Sequence, residues 1–345
     1  MPHSKLEMLV GYGTSLLRFG TDSVMVFFVL SGFFIHLRLS ADWTHGKNRQ
    51  LAVADYLKRR ARRILPPYYA ALLLTVLVDV VGGLLYPTLY DGRSGDLMLD
   101  EKRRMGGYQV ASVVPALLAL PSLLGIRFGS NGALWSVGME VVYYLLYPAF
   151  AWLWMRSRGM AYGVGLAVSV LPFVVDRPFL FAGALTGYPL WLVGAMLADW
   201  LNWRGLCQCR WLALSLSLTV AAAALIVCNL AGVQAQPLLL LGCRVAMGVT
   251  TVLGVAHLRA GFCDALPFLR WLEMIGTRSY SVYVFHTPVL YFISAMAFEL
   301  WGGRPAHGWL ALAGALVALG VGLGGWFLVE RHFMPKRIKL EEAGS

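Results

Sequence analysis

Long apolar stretches alternate with short polar segments along most of the 345-residue chain. Most of these stretches approach the ~20 residues that a helix needs to cross a bilayer. The pattern therefore predicts an all-α fold, a polytopic transmembrane helix bundle with about nine to ten spans. The predicted spans cover, in chain order, residues 20–37, 64–86, 133–154, 160–176, 179–201, 211–230, 237–257, 277–297 and 308–329.

One further apolar segment, residues 108–125, is interrupted by Pro115 and Pro121. If it enters the bilayer and returns, one membrane side carries about twice as many Lys and Arg residues as the other. Positive loops favour the cytoplasm, so we expect a proline-broken re-entrant segment, with the 38–63 loop and the C-terminus cytoplasmic. Non-helical backbone at that depth must face protein or water, so the segment is expected to line a cavity.

The composition supports an integral membrane protein, because only 14% of residues are charged and 58% are hydrophobic. Soluble domains carry roughly 25% charged residues. The net charge of +11 would suggest nucleic-acid binding only if the basic residues formed a patch on a folded surface. Most basic residues instead lie in short loops, where topology and membrane lipids explain them, so no nucleic-acid partner is expected. The five cysteines show no paired metal spacing, and no metal site is predicted.

A dense basic run, residues 58–63, follows the first span and leads into a second apolar segment at Pro66 and Pro67. Arg60 and Arg63 would share one helix face. Guanidinium groups pair with phosphates through two parallel hydrogen bonds, so this face could bind an anionic ligand. The alternative is a plain anchor helix with cytoplasmic positive charges.

Polar residues inside the predicted spans are the other candidates for chemistry. Glu140 lies seven residues inside an apolar span, which favours a functional role, although it could simply pair with Arg244 or Arg278. His286 at mid-span could be a site residue or a hydrogen-bonded core residue. Ser31 could serve close helix packing.

Five stretches, taken in order, resemble the membrane acyltransferase-3 family, the O-acyltransferases that modify bacterial sugars. They are FFVLSGFFI (27–35), RRARRILPPYY (59–69), LWSVGMEVVYYLLYP (134–148), RSYSVYVFHTPVL (278–290) and WFLVERHF (326–333). The resemblance covers residues 20–334 and implies ten or so helices, an acyl-CoA donor and an essential histidine. His3 fits the slot of that histidine by its spacing, while the helix that should precede it is expected to be missing.

The resemblance and the chemistry of acyl transfer together assign the predicted roles. An attacking hydroxyl needs a base, and the thioester carbonyl needs oxyanion stabilisation. His3 and Glu140 are the predicted catalytic residues, and Arg60 and Arg63 the predicted acyl-donor ligands. Further candidates for the site are Ser31, Trp135 and His286.

The sequence also departs from the family pattern. Met25 stands where an acidic residue is common, and Asp22 could substitute for it. The family's Glu-Arg-Pro reads Glu330-Arg331-His332 here, and we expect Glu330 and Arg331 to form a structural pair. The predicted domain spans residues 1–334 and is followed by a cytoplasmic tail, 335–345.

The predicted function is transfer of an acetyl or other short acyl group from acyl-CoA to a hydroxyl of a glycan or lipid-linked sugar. The predicted location is the bacterial inner membrane, with no bound cofactor. The alternatives are acylation of a small hydroxylated metabolite, or a non-catalytic transporter or flippase.

Overall fold

The structure is a computed structural model. It describes residues 20–47, 51–95, 106–121, 127–175, 181–204, 220, 223–224, 237–259, 274–302 and 308–334. These residues are almost entirely helical. The elements are α1 (Gly20–Thr44), α2 (Val53–Leu85), α3 (Pro87–Tyr90), β1 (Gly106–Gly107), α4 (Val110–Leu117), β2 (Arg127–Phe128), α5 (Leu134–Arg156), α6 (Arg158–Val174), α7 (Ala182–Arg204), α8 (Pro237–Arg259), α9 (Ser279–Trp301), α10 (Gly308–Gly325), a π-helix (Trp326–Glu330) and α11 (Arg331–Phe333).

Five segments of the described chain are long and apolar enough to cross a membrane. They are Gly20–Thr44, Val53–Leu85, Leu239–Ala256, Ser279–Trp301 and Trp309–Phe333. The predicted all-α membrane fold is confirmed at this level. The count of nine to ten spans stays a prediction, and most of the predicted span 211–230 lies outside the described residues.

The second helix begins earlier than predicted. The predicted span starts at residue 64, whereas α2 begins at Val53 and includes the whole basic run. Arg, Lys and Ala are good helix formers, so a charged stretch that lowers hydropathy can still be helical. Pro66 and Pro67 are therefore interior residues of α2. Without their amide hydrogens, the carbonyls of Arg62 and Arg63 receive no helical hydrogen bond.

The chain folds into two compact units. The first comprises Met1–Val53 and Ser136–Met274, and the second comprises Ala54–Trp135 and Ile275–Ser345. In the first unit α1 packs along α7, α6 packs on α7, and α8 packs on both α1 and α7.

Two glycines allow the closest approach in the first unit. A Cβ atom on Gly32 would overlap the carbonyl of Trp191, and one on Gly194 would overlap the backbone of Val29 and Phe33. Small residues let membrane helices approach backbone to backbone, which increases their van der Waals contact. These glycines therefore set the contact between α1 and α7.

In the second unit α9 packs on α10, and a Cβ atom on Gly322 would lie 2.5 Å from the Cα of Val282. The short helix α3 packs on the far part of α9, where Leu89 and Tyr90 contact Ala295 and Phe298.

The proline-broken segment belongs to the second unit. Its helix α4 has eight residues, ~12 Å of helical rise, which is too short to cross a hydrocarbon core of ~30 Å. Tyr68 and Tyr69 of α2 donate hydrogen bonds to the carbonyls of Ala116 and Leu117, each at 2.8 Å. The strands β1 and β2 pair in parallel and join the two sides of the segment. This pairing brings the following turn, residues 129–133, against α2 and α9.

Candidate functional site

A cluster of buried polar side chains lies where α2, the 129–133 turn and α9 meet within the second unit. The Asp79 carboxylate accepts hydrogen bonds from the Tyr108 hydroxyl at 2.7 Å and the Ser130 amide at 2.8 Å. The Asn131 side-chain amide donates to Thr75 Oγ1 at 3.1 Å and to a carbonyl of α9 at 3.0 Å. We call these five residues the Asp79 cluster.

The backbone at Gly129 brings the turn close to the carboxylate. Gly129 has a φ of 51°, in the left-handed region that favours glycine. A Cβ atom there would also lie 2.5 Å from both Asp79 Oδ2 and the Tyr108 hydroxyl. No side chain fits at this position, so Gly129 is what allows the turn to reach α2.

Three oxygen atoms of the Asp79 cluster are buried without a hydrogen-bond partner among the described residues. They are Asp79 Oδ1, Ser130 Oγ and Asn131 Oδ1. The Asp79 and Asn131 residues are only 6% and 1% exposed. Buried polar atoms are normally paired, because an unpaired one costs about 1–3 kcal/mol. The cluster therefore presents unused acceptors in a buried position.

His286 lies on the part of α9 that packs against the 129–133 turn. Its Nδ1 lies 2.5 Å from the carbonyl of Tyr283. Because a carbonyl can only accept, Nδ1 carries the hydrogen of the neutral imidazole. Nε2 is then the acceptor and faces the Thr287 hydroxyl at 3.3 Å. This tautomer is the one that could take a proton from a hydroxyl at Nε2.

The turn is fixed to the same stretch of α9. The Tyr283 hydroxyl donates to the carbonyl of Ala133 at 3.0 Å. A Cβ atom on Gly132 would lie 3.8 Å from Thr287 Cγ2 and 3.6 Å from Arg127 Nη1. The structure thus brings His286 and the Asp79 cluster into one region, with the Arg127 guanidinium beside the same turn.

The predicted donor ligands lie on α2 as expected from their spacing. Arg63 is exposed, and the Arg60 guanidinium lies 5.6 Å from the ring centroid of Tyr56. Arg63 interacts electrostatically with the buried carboxylate of Glu330. The exposed Arg63 side chain can therefore meet a ligand at the surface.

The predicted structural pair of Glu330 and Arg331 does not form. Glu330 instead accepts hydrogen bonds from the backbone amide of Ser281 at 3.2 Å and from its hydroxyl. Arg331 is exposed and lies 3.5 Å from the ring centroid of Phe327. The physical reason is the π-helix Trp326–Glu330, whose altered turn places Glu330 at the start of α9. A carboxylate is stabilised there by the positive end of the helix dipole.

Glu140 and Ser31 meet in the first unit, where the Ser31 hydroxyl donates to Glu140 Oε1. Both residues are buried. The two arginines that the sequence offered as partners of Glu140 have contacts of their own. Arg244 donates to Asp22 at 2.8 Å, and the Arg278 guanidinium lies 4.5 Å from the ring centroid of Trp326.

The first unit also contains a polar hub that the sequence did not predict. The Asp199 carboxylate of α7 accepts hydrogen bonds from Ser40 Oγ at 2.6 Å, Trp154 Nε1 at 2.8 Å and the Tyr162 hydroxyl at 2.7 Å. Its fourth partner is His36 Nε2 at 3.1 Å. His36 has no exposed surface.

The other predicted site residues are Trp135 and His3. Trp135 is half-buried in the first turn of α5. His3 lies outside the described residues. Among the residues that the structure describes, no group of three His, Cys, Asp or Glu side chains could hold a metal ion.

Comparison with known proteins identifies the family. A family model described as an acyltransferase domain matches residues 3–331. The chain belongs to this family. The match confirms the resemblance seen in the five sequence stretches. It also confirms the predicted enzyme class, an acyltransferase.

Three curated proteins are similar to this acyltransferase at low identity. The peptidoglycan O-acetyltransferase OatA of Listeria monocytogenes is 25% identical over 79% of the chain, which spans only 45% of OatA. Nodulation protein 10 of Rhizobium leguminosarum is 25% identical over 94% of the chain and 85% of that protein. The exopolysaccharide production protein ExoZ of Rhizobium meliloti is 24% identical over 91% of the chain and 90% of that protein. No solved structure matches the chain significantly.

Proposed function

We propose that this acyltransferase moves an acetyl or other short acyl group from acyl-CoA to a hydroxyl of a glycan or glycolipid at the bacterial inner membrane. The family match over residues 3–331 carries the reaction class. The names of OatA and ExoZ refer to peptidoglycan and exopolysaccharide, which favours a glycan as acceptor.

In the proposed reaction the acceptor oxygen attacks the thioester carbonyl, the carbon–sulfur bond breaks, and the coenzyme leaves as a thiol. A base takes the hydroxyl proton, and positioned donors stabilise the oxyanion. His3 is the proposed base, and His286 Nε2 is the alternative because its tautomer leaves that nitrogen as an acceptor. Glu140 remains a proposed catalytic residue, with its carboxylate held by Ser31.

The observation that supports an acyl-CoA donor is the basic face of α2. Arg63 is exposed and Arg60 is half-buried one helical turn away, so both can present guanidinium groups toward one ligand. Coenzyme A carries phosphates, which guanidinium groups bind with two parallel hydrogen bonds. Glu330 interacts electrostatically with Arg63, so the donor face is linked to the buried polar group at the start of α9.

Steady-state kinetics of the purified protein in nanodiscs would test this proposal. Thiol release from acetyl-CoA is measured with and without glycosides and small alcohols as acceptors. We expect Arg63→Ala to raise the donor KM by ~10-fold, the loss of roughly one charge-assisted hydrogen bond, with the acceptor KM unchanged. Arg63→Lys should recover only part of this loss, because lysine lacks the planar fork.

Arg62→Ala is the matched control, because Arg62 is also exposed and belongs to the same basic run. Equal donor KM values for Arg63→Ala and Arg62→Ala would contradict the donor assignment. Movement of a sugar lipid across the bilayer without thiol release would instead support the transporter alternative. Thiol release only with small alcohols would favour a hydroxylated metabolite as acceptor.

A further inference from the structure

The Asp79 cluster has no role in the function described so far. It lies sixteen residues beyond Arg63 on α2, roughly 24 Å along the helix axis, so it is separate from the basic donor face. Its unpaired oxygens can accept hydrogen bonds, and it lies beside His286. A ligand that donates hydrogen bonds would therefore match it. We propose that the cluster binds hydroxyl groups of a carbohydrate acceptor. This inference rests on the proposed function, because it names where the glycan binds.

Asp79 is a carboxylate buried in an apolar segment. It follows the sequence LLLTVLV in the last third of α2 and is 6% exposed. Carboxylates inside membrane segments are costly, rarely occur by accident and mark substrate or ion pathways. Two donors, Tyr108 and the Ser130 amide, satisfy Oδ2, which leaves Oδ1 for a ligand.

The orientation of the Asn131 side chain leaves a second acceptor in the cluster. Its Nδ2 faces the carbonyl of Val284, which can only accept, so the amide orientation is fixed. The other end of the amide, Oδ1, is therefore an acceptor and has no partner among the described residues. Asp79 Oδ1 on α2, together with Asn131 Oδ1 and Ser130 Oγ on the turn, thus offers three oxygens to a ligand. Neighbouring hydroxyls of a sugar ring are donors of matching chemistry.

A bound cation is the competing ligand for oxygen atoms, and the surroundings disfavour it. Calcium takes six to eight oxygen ligands, usually with several carboxylates, whereas this cluster has one carboxylate. That carboxylate already accepts two hydrogen bonds. The Arg127 guanidinium lies beside the same turn and would repel a second positive charge.

The Asp79 cluster has a fixed position relative to His286. The turn that carries Ser130 and Asn131 is bonded to α9 at Val284 and, through Ala133, to Tyr283. His286 follows within one helical turn of these contacts. A sugar held by the cluster would therefore lie beside an imidazole whose Nε2 is an acceptor, which suits a residue that positions the acceptor hydroxyl.

Ligand-dependent thermal stability of the purified protein in nanodiscs would test the proposal without requiring turnover. The probes are the methyl glycosides of glucose, galactose, mannose and N-acetylglucosamine, with sodium and calcium ions as the competing arms. At least one glycoside should raise the melting temperature of the parent protein. Asp79→Asn and Asn131→Leu each remove an acceptor oxygen from the cluster, and each should weaken that binding by roughly 10- to 100-fold, the value of a hydrogen bond to a charged or buried group.

Asp91→Asn is the matched control, because Asp91 lies in the same unit but is exposed and bonded to Arg93. Its glycoside affinity should equal that of the parent. No glycoside shift, an equal shift in all variants, or a cation shift lost in Asp79→Asn would each overturn the proposal. Acetyl-CoA turnover of the parent protein is measured separately, so failure of the acyltransferase reaction is distinguishable from failure of this binding site.

Discussion

Replacing Asp199 with alanine should strongly destabilise the first unit. Asp199 of α7 joins four donors from three other helices, namely His36, Ser40, Trp154 and Tyr162. Alanine leaves all four donors without their acceptor. His36 is affected most, because it has no exposed surface through which water could replace the carboxylate.

The expected magnitude follows from these contacts. A buried donor that loses its hydrogen-bond partner costs about 1–3 kcal/mol, and four side chains lose their contact to Asp199. The four losses do not simply add. The Asp199 side chain is 12% exposed and borders a groove of about 250 Å³, so water can reach some donors. We therefore expect ~3–5 kcal/mol, equivalent to roughly 10 °C in melting temperature for a unit of this size.

Intrinsic tryptophan fluorescence during heating in nanodiscs would measure this change. Asp42→Ala is a suitable control, because Asp42 lies on α1 near Ser40 and its carboxylate has no side-chain partner among the described residues. A double-mutant cycle with His36→Ala should give a coupling energy of ~1–3 kcal/mol. Melting temperatures within 1–2 °C for Asp199→Ala and Asp42→Ala would refute the reasoning.

Two further predictions concern packing and catalysis. Gly32→Ala should lower thermal stability, because the added Cβ atom would overlap the carbonyl of Trp191, whereas Gly20→Ala on the same helix meets open space and should have little effect. His3→Ala, made in a chain that carries the family's first helix ahead of it, should reduce acyl transfer by ~10²–10⁴-fold while leaving membrane insertion intact, as expected for loss of a general base. Transfer at the parent rate would move that role to His286, with kinetics of His286→Ala as the next measurement.

The helices could largely be predicted from the sequence, because hydropathy reflects the solvent that surrounds each segment. The predicted span 133–154 corresponds to α5, Leu134–Arg156, and the predicted span 277–297 to α9, Ser279–Trp301. The start of α2 was missed for a related reason. Residues 53–63 are too charged to register as membrane-spanning, yet their side chains favour helix.

The polar contacts were harder to predict, because they join residues far apart in the chain. Asp22 and Arg244 are separated by 222 positions, and His36 and Asp199 by 163. Nothing in local periodicity selects these partners. Asp79 is different, because a carboxylate inside an apolar run is itself a sign of function and could have been found from the sequence.

The parallel pairing of Gly106–Gly107 with Arg127–Phe128 closes the intervening segment into a loop with its base pinned next to the Asp79 cluster. The entropy of closing a loop grows only logarithmically, so doubling its length costs about 0.6 kcal/mol. Insertions between α4 and β2 should therefore be tolerated while the base keeps its register and α4 keeps its hydrogen bonds to α2. An epitope placed there could report from which membrane face an antibody gains access, and relatives could vary this loop in length without disturbing the turn beneath it.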